Sequence, residues 1–247
     1  MIDLSGKSIL VTGASSGIGQ ATAILCDSLG AAVIITGRNE ERLIETLSQM
    51  SDRTRLVVAD LSTDEGISFL VDSVDKLDGV FNGVGMIKPY PIKFIKRKNV
   101  EELMNTNLIS TILLTSNLLK NKKISSSSSF VFVSSISANH PYLGGALYST
   151  SKAALEAFAR SLALEHASQQ LRANVLSPAL VQTEMFNQTK DAYTEDEFQQ
   201  IVNQYPLGIG QPIDVANAAV FLLSDASKWI TGTTFQMDGG LLLNSKR

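Results

Sequence analysis

The sequence predicts one doubly wound α/β domain, residues 1–247, with helices on both faces of a parallel sheet. Short runs rich in β-branched residues alternate with amphipathic stretches from one end of the chain to the other, and this alternation is typical of α/β folds. Strand candidates such as Ile9–Val11 and Val131–Val133 are apolar almost without interruption. Strands of a parallel sheet need that composition because crossover helices cover both faces.

Seven strands and six helices are predicted along the chain. The strand candidates are Ser8–Thr12, Ala32–Thr36, Arg55–Ala59, Gly79–Asn82, Phe130–Ser134, Ala173–Ser177 and Thr233–Met237. The helix candidates are Ile18–Leu29, Glu40–Met50, Asp64–Lys76, Val100–Asn121, Ser149–Ser168 and Ile213–Ser224.

Local signals support several of these boundaries. Asn39 is a predicted N-cap, because acidic residues follow it in the first turn of the second helix. Ser62, with Glu65 three residues later, predicts a capping box at the start of the third helix. Pro212 suits the first turn of the last helix, where its missing N–H costs nothing. The run Ser125–Ser129 is expected to cap the preceding helix and loop into the fifth strand.

The composition excludes several kinds of function. A net charge of −3 and a pI near 5.5 give no reason to expect nucleic acid or an anionic membrane as a partner. Cys26 is the only cysteine, which excludes an intrachain disulfide and a thiolate-rich metal site. Two histidines are too few for a three-histidine zinc site. With no signal peptide and no bilayer-length apolar run, we expect a cytoplasmic, metal-free globular protein.

One segment is too long to be a passive connection. Gln182–Tyr205 joins the sixth strand to the last helix and shows little regular pattern. We therefore predict that residues 182–205 form a lid over a substrate.

A glycine-rich loop with the spacing G-x-x-x-G-x-G joins the first strand to the first helix. Gly13 permits a tight turn, Gly17 lets the backbone approach a pyrophosphate, and Gly19 lets the helix pack closely on the strand. The helix N-terminus then presents N–H groups and partial positive charge to the phosphates. A purely structural turn is the alternative, and the strand before the loop and the helix after it argue against that. The loop residues predicted to bind the dinucleotide are Gly13, Ser15, Ser16, Gly17, Ile18 and Gly19.

Arg38, which follows the second strand, favours NADP(H) over NAD(H). NAD-selective sites place an acid near this point, where it bonds the ribose 2′-hydroxyl. A guanidinium instead suits bidentate contact with a 2′-phosphate. The alternative is a solvated surface arginine.

Tyr148 and Lys152 are the candidate catalytic pair. They stand at positions i and i+4, on one face of a predicted helix. Free tyrosine titrates near pH 10, and a nearby ammonium is expected to lower that pKa. Such a pair is weak evidence alone, but Ser135 ends a strand 13 residues earlier and Asn107 lies in the preceding helix.

With this set of residues the sequence resembles the short-chain dehydrogenase/reductase family, over essentially the whole chain. The resemblance rests on Thr12–Gly19, Asp60-Leu61, Asn82, Asn107, Ser135, Tyr148, Lys152, Pro178, Thr183 and Met237–Gly240. It implies a Rossmann-like fold with a seven-stranded parallel sheet, usually in a homotetramer or dimer. It also implies hydride transfer between a nicotinamide cofactor and a ketone or secondary alcohol, with a small-molecule substrate.

The resemblance assigns a role to each catalytic candidate. Tyr148 would donate or accept the proton, and Ser135 would hold the substrate oxygen beside it. Lys152 would bind the nicotinamide ribose and tune Tyr148, while Asn107 would anchor a water that passes protons onward. The remaining cofactor contacts implied by the resemblance are Asp60, Leu61, Asn82, Gly83, Pro178, Val181 and Thr183.

Two motifs depart from the usual pattern of the family. The Asn-Asn-Ala-Gly that usually follows the fourth strand is Asn82-Gly83-Val84-Gly85 here, so the turn is expected to survive with an altered cofactor wall. The usual Pro-Gly is Pro178-Ala179, and alanine serves only if that position avoids positive φ.

The substrate is left open by the sequence. Bacterial 3-oxoacyl-acyl-carrier-protein reductases of this family carry arginines that dock the carrier, and those positions fall near Ser126 and Gln169 here. Lys122, Lys123 and Arg172 are the candidate substitutes. Polar residues near Ser135 suit a sugar, an acyl thioester or a small cyclic ketone equally.

Two other activities compete with this interpretation. A dinucleotide-binding sensor without chemistry would bind NADPH but reduce no carbonyl, since fold alone does not guarantee function. A sugar-nucleotide epimerase shares the Tyr–Lys logic, but its glycine spacing differs and no separate substrate domain follows Ser177.

Overall fold

The computed structural model describes residues 2–184, 186 and 194–243. The strands are β1 (Ser8–Thr12), β2 (Ala32–Gly37), β3 (Arg55–Val58), β4 (Leu77–Asn82), β5 (Ile124–Val133), β6 (Arg172–Pro178) and β7 (Thr234–Met237). The helices are α1 (Gly17–Ser28), α2 (Glu40–Leu47), α3 (Asp64–Ser73), α4 (Arg97–Met104), α5 (Ser110–Lys120), α6 (Ala146–Glu165), α7 (Glu195–Val202) and α8 (Pro212–Leu223).

The strands form one parallel sheet in the order β3-β2-β1-β4-β5-β6-β7. Strand β1 pairs with both β2 and β4, so the strand order reverses at this point. In open α/β sheets a crevice forms outside the carboxyl ends of the strands at such a switch point. The predicted doubly wound, seven-stranded fold is confirmed, and its switch point lies beside the glycine-rich loop.

Two hydrophobic cores, one on each face of the sheet, hold the helices in place. Along β1, Leu10 belongs to the core under α3, α5 and α6, whereas Ile9 and Val11 belong to the core under α1, α2 and α8. Successive side chains of a strand point to opposite faces, so an uninterrupted apolar run supplies both cores. Burial on both faces is therefore the physical reason for the apolar strands.

The predicted strands are confirmed, but the loop predicted over Ser125–Ser129 is wrong. The serines of Ser125–Ser129 lie within β5, which extends back to Ile124. The strand accommodates them through a register shift against β4 and a left-handed Ser127 (φ 60°). Ser129 also donates a hydrogen bond of 2.7 Å to the Leu222 carbonyl. Ser126 and Ser127 are exposed, and the Ser128 hydroxyl is buried without a partner among the described residues, so Ser129 is the buried serine of this run whose hydroxyl is satisfied.

The helix starts are mostly as predicted. Asn39 caps α2 by accepting a hydrogen bond from the Arg42 N–H, and Pro212 begins α8. The capping box predicted at Ser62 is wrong, because the N-cap of α3 is Thr63, whose hydroxyl accepts from the Gly66 N–H. The Ser62 hydroxyl instead donates to Asp60 at 2.7 Å.

The helix predicted over Val100–Asn121 is divided into α4 and α5. A π-helical turn, Asn105–Ile109, separates them and places Asn107 at its centre with no exposed surface. Such wide turns often mark functional positions in helices.

Membrane insertion of a helix finds no support in the fold. None of the helices in the described ranges combines the length and apolarity that crossing a bilayer requires.

Candidate active site

A cleft of about 1000 Å³ opens at the carboxyl edge of the sheet, beside the switch point. Almost all residues predicted for the site line this cleft, and Asn82 and Asn107 lie behind it. The predicted residues that line it are Gly13, Ser15, Ser16, Gly17, Ile18, Gly19, Arg38, Asp60, Leu61, Gly83, Ser135, Tyr148, Lys152, Pro178, Val181 and Thr183. Residues far apart in the sequence therefore meet in one place.

The glycine-rich loop leaves no room for side chains. Gly13 has a left-handed φ of 68°, and a Cβ on it would lie 2.9 Å from the carbonyl carbon of Gly83. A Cβ on Gly19 would lie 2.2 Å from the carbonyl oxygen of Gly13, so this glycine is what lets α1 begin against the loop. The side chain of Ser16, at the N-cap of α1, makes no capping hydrogen bond. A bare helix N-terminus in a glycine cradle fits the pyrophosphate of a dinucleotide.

The structure explains why glycine stands at position 83, where the family usually has asparagine. A Cβ on this residue would lie 2.8 Å from the Thr12 carbonyl oxygen and 2.9 Å from the Phe81 ring. The Gly83 N–H donates to the Thr12 hydroxyl at 3.2 Å, which ties the turn after β4 to the end of β1. Ala179 is absent from the positive-φ residues of the described chain, so alanine is compatible with the position after Pro178.

Opposite charges meet at the far end of the cleft, after β2 and β3. Burial acts to raise the pKa of Asp60, but hydrogen bonds from Ser62 and the charge of Arg38 together lower the pKa below its ordinary value. Arg38 therefore lies close enough to Asp60 to influence it. A cation near the ends of these strands is suited to a phosphate on an adenosine ribose.

Ser135, Tyr148 and Lys152 converge at the other end of the cleft. Helix α6 begins at Ala146, earlier than predicted, and this start puts Tyr148 in its first turn. The Lys152 ammonium lies 5.7 Å from the centre of the Tyr148 ring, and the Ser135 hydroxyl is near enough to the phenol to act to lower its pKa. Ser135 also accepts from the Ser137 N–H at 3.2 Å. All three candidate catalytic side chains are buried.

The expected lowering of the Tyr148 pKa by Lys152 is not what the structure shows. Burial raises the pKa of Tyr148, and the Ser135 hydroxyl only partly opposes it. The Lys152 Nζ donates to the Val133 carbonyl oxygen at 2.8 Å instead of facing the phenol oxygen. Burial also lowers the pKa of Lys152 to about 8. Desolvation is thus the dominant influence on both groups.

The Asn107 side chain makes three hydrogen bonds to protein groups. Its Oδ1 accepts from the Met86 N–H at 2.8 Å, and its Nδ2 donates to the Met86 carbonyl at 3.0 Å and to Ser151 at 3.2 Å. Those bonds hold the segment after β4 against α6. A Cβ on Gly85 would lie 3.2 Å from the Lys152 Nζ and 3.8 Å from the Asn107 Oδ1, so this glycine lies between the two. An amide oxygen can accept two hydrogen bonds, so the Asn107 Oδ1 keeps a second acceptor position at which it could hold a water.

Asn82 lies behind the cofactor end of the cleft. The residue is buried, and its Nδ2 has no hydrogen-bond partner among the described residues. A buried amide without a partner is unusual and marks a position where a further polar group is expected.

The part of the cleft beside Tyr148 is mixed in character. Ser137, Asn139 and His140 supply its polar wall. The opposite wall is apolar, and its members are Ile87, Pro89, Tyr142, Leu143, Phe186, Phe198, Ile201, Tyr205 and Leu241. The Tyr142 ring lies 6.4 Å from the Tyr148 ring. Met86 does not line the cleft.

Sequence reasoning missed Phe198, Tyr205 and Leu241. The Tyr205 hydroxyl accepts from the Leu180 N–H at 3.4 Å, which links the end of the 182–205 segment to the loop after β6. Phe198 and Tyr205 stand with Ile201 at the i, i+3, i+7 spacing of an amphipathic helix, a signal that could have pointed to them. Leu241 begins a run of three leucines near the end of the chain, where no periodic pattern points to the cleft.

Fold and site together define the chain as a dinucleotide-binding oxidoreductase of the doubly wound class. A sequence profile described as enoyl-(acyl carrier protein) reductase matches residues 13–242. The chain belongs to the short-chain dehydrogenase/reductase family, whose enzymes use a nicotinamide cofactor. The predicted family and enzyme class are confirmed.

Similar proteins cover the chain from end to end. The 3-oxoacyl-acyl-carrier-protein reductase FabG of Rickettsia felis is 34% identical over 244 residues, which are 98% of this chain and 100% of the relative. A tropinone reductase homologue of Arabidopsis thaliana is also 34% identical, over 98% of this chain and 93% of its own. Among solved structures, a short-chain type dehydrogenase/reductase from Mycobacterium ulcerans has a TM-score of 0.89 at 26% identity, covering 98% and 92% of the two chains.

Proposed function

We propose that this protein is an NADP(H)-dependent oxidoreductase that interconverts a ketone and a secondary alcohol, with Tyr148 as the general acid/base. The observation that carries the proposal is the convergence of Ser135, Tyr148 and Lys152 at one end of a cleft whose other end is the glycine cradle. Bound nicotinamide supplies or accepts the hydride, so the protein needs only orientation, stabilisation of the oxyanion and one proton donor.

The buried phenol suits a role as proton donor. Because burial raises the pKa of Tyr148, the phenol stays protonated at neutral pH and has a proton to give to an alkoxide. Ser135, whose hydroxyl lies near that phenol, would hold the substrate oxygen beside it. Lys152 would bind the nicotinamide ribose, and its charge would then favour the tyrosinate that forms after proton transfer. Reduction is accordingly the favoured direction.

Substitution of the phenol tests the mechanism. Tyr148→Phe should lower turnover at least ~100-fold, the low end for losing a general acid/base. NADPH binding, followed by fluorescence, should persist, because the ring remains in place. Near-normal turnover in this variant would exclude Tyr148 as the proton donor. Tight NADPH binding by the unaltered protein, with no reduction of any carbonyl tested, would instead identify a sensor.

Arg38 would select NADP(H) by binding the 2′-phosphate. Arg38→Ala should weaken NADPH binding by roughly 10- to 150-fold, as expected for the loss of a charged hydrogen bond, and leave NADH binding nearly unchanged. Arg55→Ala is the matched control, since Arg55 lies on β3, does not line the cleft and pairs with Asp75 at 3.7 Å. An unchanged preference between the two cofactors would refute the role of Arg38.

The remaining cofactor contacts follow from the cleft. Asp60 and Leu61 would border the adenine, Asn82 and Gly83 would lie behind the cofactor, and the stretch after β6 would surround the nicotinamide amide. The residues of that stretch are Pro178, Val181 and Thr183. Asn107 would act by holding the segment after β4, as its three hydrogen bonds indicate.

A 3-oxoacyl thioester is the substrate class that the relatives favour. Several are named as 3-oxoacyl-acyl-carrier-protein reductases, at 31–34% identity and nearly full coverage. The apolar wall beside Tyr148 suits an acyl chain. A screen of NADPH oxidation over acetoacetyl thioesters, keto-sugars, quinones and cyclic ketones tests this choice. Reduction of a sugar or cyclic ketone in preference to every thioester would overturn it.

The chain would work as one domain, residues 1–247, with segment 182–205 as its lid. Phe198 and Ile201 of α7 line the cleft, and Phe186 meets Phe198 edge-on at 5.3 Å. The Arg42–Glu184 ion pair, at 2.6 Å, ties the start of the segment to α2. The rest of the predicted lid, residues 185 and 187–193, lies outside the described residues.

A homo-oligomer, tetramer or dimer, would cover the outer faces of α5 and α6. Leu113 on α5, Leu164 on α6 and Ile109 in the adjoining π turn are exposed. Exposed apolar side chains on neighbouring helices are typical of an interface between copies. Light scattering after size-exclusion chromatography measures the state, and a monomer at micromolar concentration would contradict this expectation.

A further inference from the structure

The segment after β4 has two faces with different surroundings. Its inner face belongs to the active site, because Tyr90 and Ile95 pack in the hydrophobic cluster that contains Tyr148. The Tyr90 N–H donates to the Gly144 carbonyl at 2.8 Å, which fixes the segment to the loop before α6. Pro89 lines the cleft. The outer face of this wall is therefore only one layer of side chains away from the proposed proton donor.

That outer face, residues 92–98, carries exposed apolar side chains and is called the basic platform below. Ile92 is 77% exposed and Phe94 is 61% exposed. A groove of about 450 Å³ lies beside them, lined in part by Tyr90, Phe94 and Asn99. Leu143, at the mouth of the cleft, is 99% exposed. Single exposed apolar residues are ordinary, but a group around the mouth of a cleft is typical of an interaction surface.

The platform is basic in a chain whose net charge is −3. Four cations, Lys93, Lys96, Arg97 and Lys98, occur within six residues. Arg97 is paired with Glu101 at 3.6 Å. Within the described part of the chain the three lysines form no salt bridge, and Lys93 lies 4.9 Å from the centre of the Phe94 ring. The lysines are thus available to acidic groups of a partner.

The positions where related reductases carry docking arginines lie elsewhere. Ser126 is near the start of β5 and Gln169 precedes β6, so both lie at the amino-terminal edge of the sheet, away from the cleft. The substitutes considered for them are poor: Arg172 is buried and donates to the Leu222 and Ser224 carbonyls, and Lys123 donates to the Val74 carbonyl at 2.7 Å. The basic platform instead follows Pro89, which lines the cleft, although residues 92–98 themselves line only the neighbouring groove.

We propose that the basic platform docks a small acidic carrier protein that presents its thioester-bound substrate to the cleft on a flexible arm. The proposal rests on the proposed function and adds the partner and its binding surface. Acidic groups of the carrier would meet the three lysines, and its apolar contacts would cover Ile92 and Phe94. Complementary charge of this kind raises association rates and is weakened by salt. A docked carrier would leave its arm next to Pro89 and the mouth of the cleft.

Charge reversal on the platform tests the docking. The variant carries Lys93→Glu, Lys96→Glu and Lys98→Glu, and the matched control carries Lys76→Glu, Lys120→Glu and Lys228→Glu on other exposed surfaces. Both change the net charge equally. Each is assayed with an acetoacetyl group on acyl-carrier protein and with the same group on N-acetylcysteamine.

The platform variant alone should show a KM for the carrier-bound substrate raised roughly 10- to 100-fold. Its kinetics with the small thioester should stay within about twofold of the unaltered protein. Fluorescence anisotropy with labelled carrier protein should show binding that weakens between about 25 mM and about 250 mM salt, and only when the platform is intact.

Three results would overturn the docking surface: an unchanged KM for the carrier-bound substrate, an equal loss on both substrates, or an equal loss in the control. Loss of the oligomeric state in the platform variant alone would also overturn it, because the platform would then be a contact between copies. Failure of the unaltered protein to reduce either thioester would contradict the proposed substrate. Carrier binding that depends on the lysines would still support the docking surface in that case.

Discussion

Replacing Lys152 with methionine should make the cofactor-free protein more stable while abolishing its activity. The Lys152 side chain is 3% exposed, and its ammonium has one hydrogen bond among the described residues, to the Val133 carbonyl. A buried ammonium is costly because the protein replaces only part of its hydration. Methionine has a similar length and no charge, so it should fill the same space without that cost.

The size of the effect follows from the pKa of the lysine. Burial lowers it from 10.5 to about 8, and each unit corresponds to roughly 1.4 kcal/mol between the two protonation states. The charged lysine therefore destabilises the fold by about 3 kcal/mol at neutral pH. Losing the hydrogen bond to Val133 offsets about 1 kcal/mol of the gain. Lys152→Met should thus raise the free energy of unfolding by roughly 2 kcal/mol at neutral pH.

The dependence on pH has a definite sign. Between pH 8 and 10.5 the unfolded chain binds a proton at Lys152 that the folded chain has released. In this window the free energy of unfolding of the unaltered protein therefore rises with pH relative to that of the variant. Below about pH 8 the charged Lys152 destabilises the folded protein by the full amount. The advantage of the methionine variant should shrink steadily towards pH 10.5.

Urea denaturation of both proteins without cofactor, at pH values from 7 to 10, measures the difference. Lys76→Met, at an exposed lysine, is the control and should show no such trend. A methionine variant that is less stable at neutral pH, or a difference that is independent of pH, would refute the argument that Lys152 is a desolvated cation held in place for function.

Three further predictions concern other parts of the structure. Ser134→Ala should lower the free energy of unfolding by about 1–3 kcal/mol, because the buried Glu156 carboxylate loses its 2.9 Å hydrogen bond; urea denaturation measures this, and an unchanged midpoint would contradict it. Gly19→Ala should abolish NADPH binding measured by fluorescence, since its Cβ would meet a carbonyl oxygen at 2.2 Å, whereas Gly210→Ala, with 3.5 Å of space, should bind normally. Arg172→Met should lower the unfolding free energy by about 1–3 kcal/mol, because the buried Ser227 hydroxyl loses its donor and the Leu222 and Ser224 carbonyls each lose one of several donors, yet leave the KM for carrier-bound substrate unchanged; urea denaturation measures the first effect, and an unchanged midpoint would contradict it.

The sequence was most informative where the structure is local. Strands such as Ser8–Thr12 were predicted to the residue, because two buried faces demand an uninterrupted apolar run. The glycine loop could be predicted equally well, since steric limits at Gly13 and Gly19 admit no other residue. These features depend on a few consecutive residues and on backbone geometry, so no knowledge of distant contacts is needed.

Features set by tertiary contacts were not predictable in the same way. The serines before Phe130 resemble a loop, and only the pairing of β5 with β4 and a distant carbonyl at Leu222 makes them a strand. The π turn at Asn107 depends on hydrogen bonds to Met86 and Ser151, which the sequence does not reveal. Likewise, spacing brings Lys152 near Tyr148, but burial decides the direction of both pKa shifts.

Contacts between the end of β5 and α6 hold Tyr148 and Lys152 in position without any contribution from the described part of the segment 182–205. The last residue of the strand and the two residues after it face α6. The Val133 carbonyl accepts from Lys152, the Ser134 hydroxyl donates to the Lys152 carbonyl and Glu156, and Ser135 lies near the Tyr148 phenol. All of these groups are on α6 or at the end of the strand, whereas most of the substrate wall comes from loops and α7. Loop residues could therefore change, and the substrate with them, without moving the proposed proton donor. The same separation explains why the residues predicted for chemistry converged, while those predicted for substrate contact did so only in part.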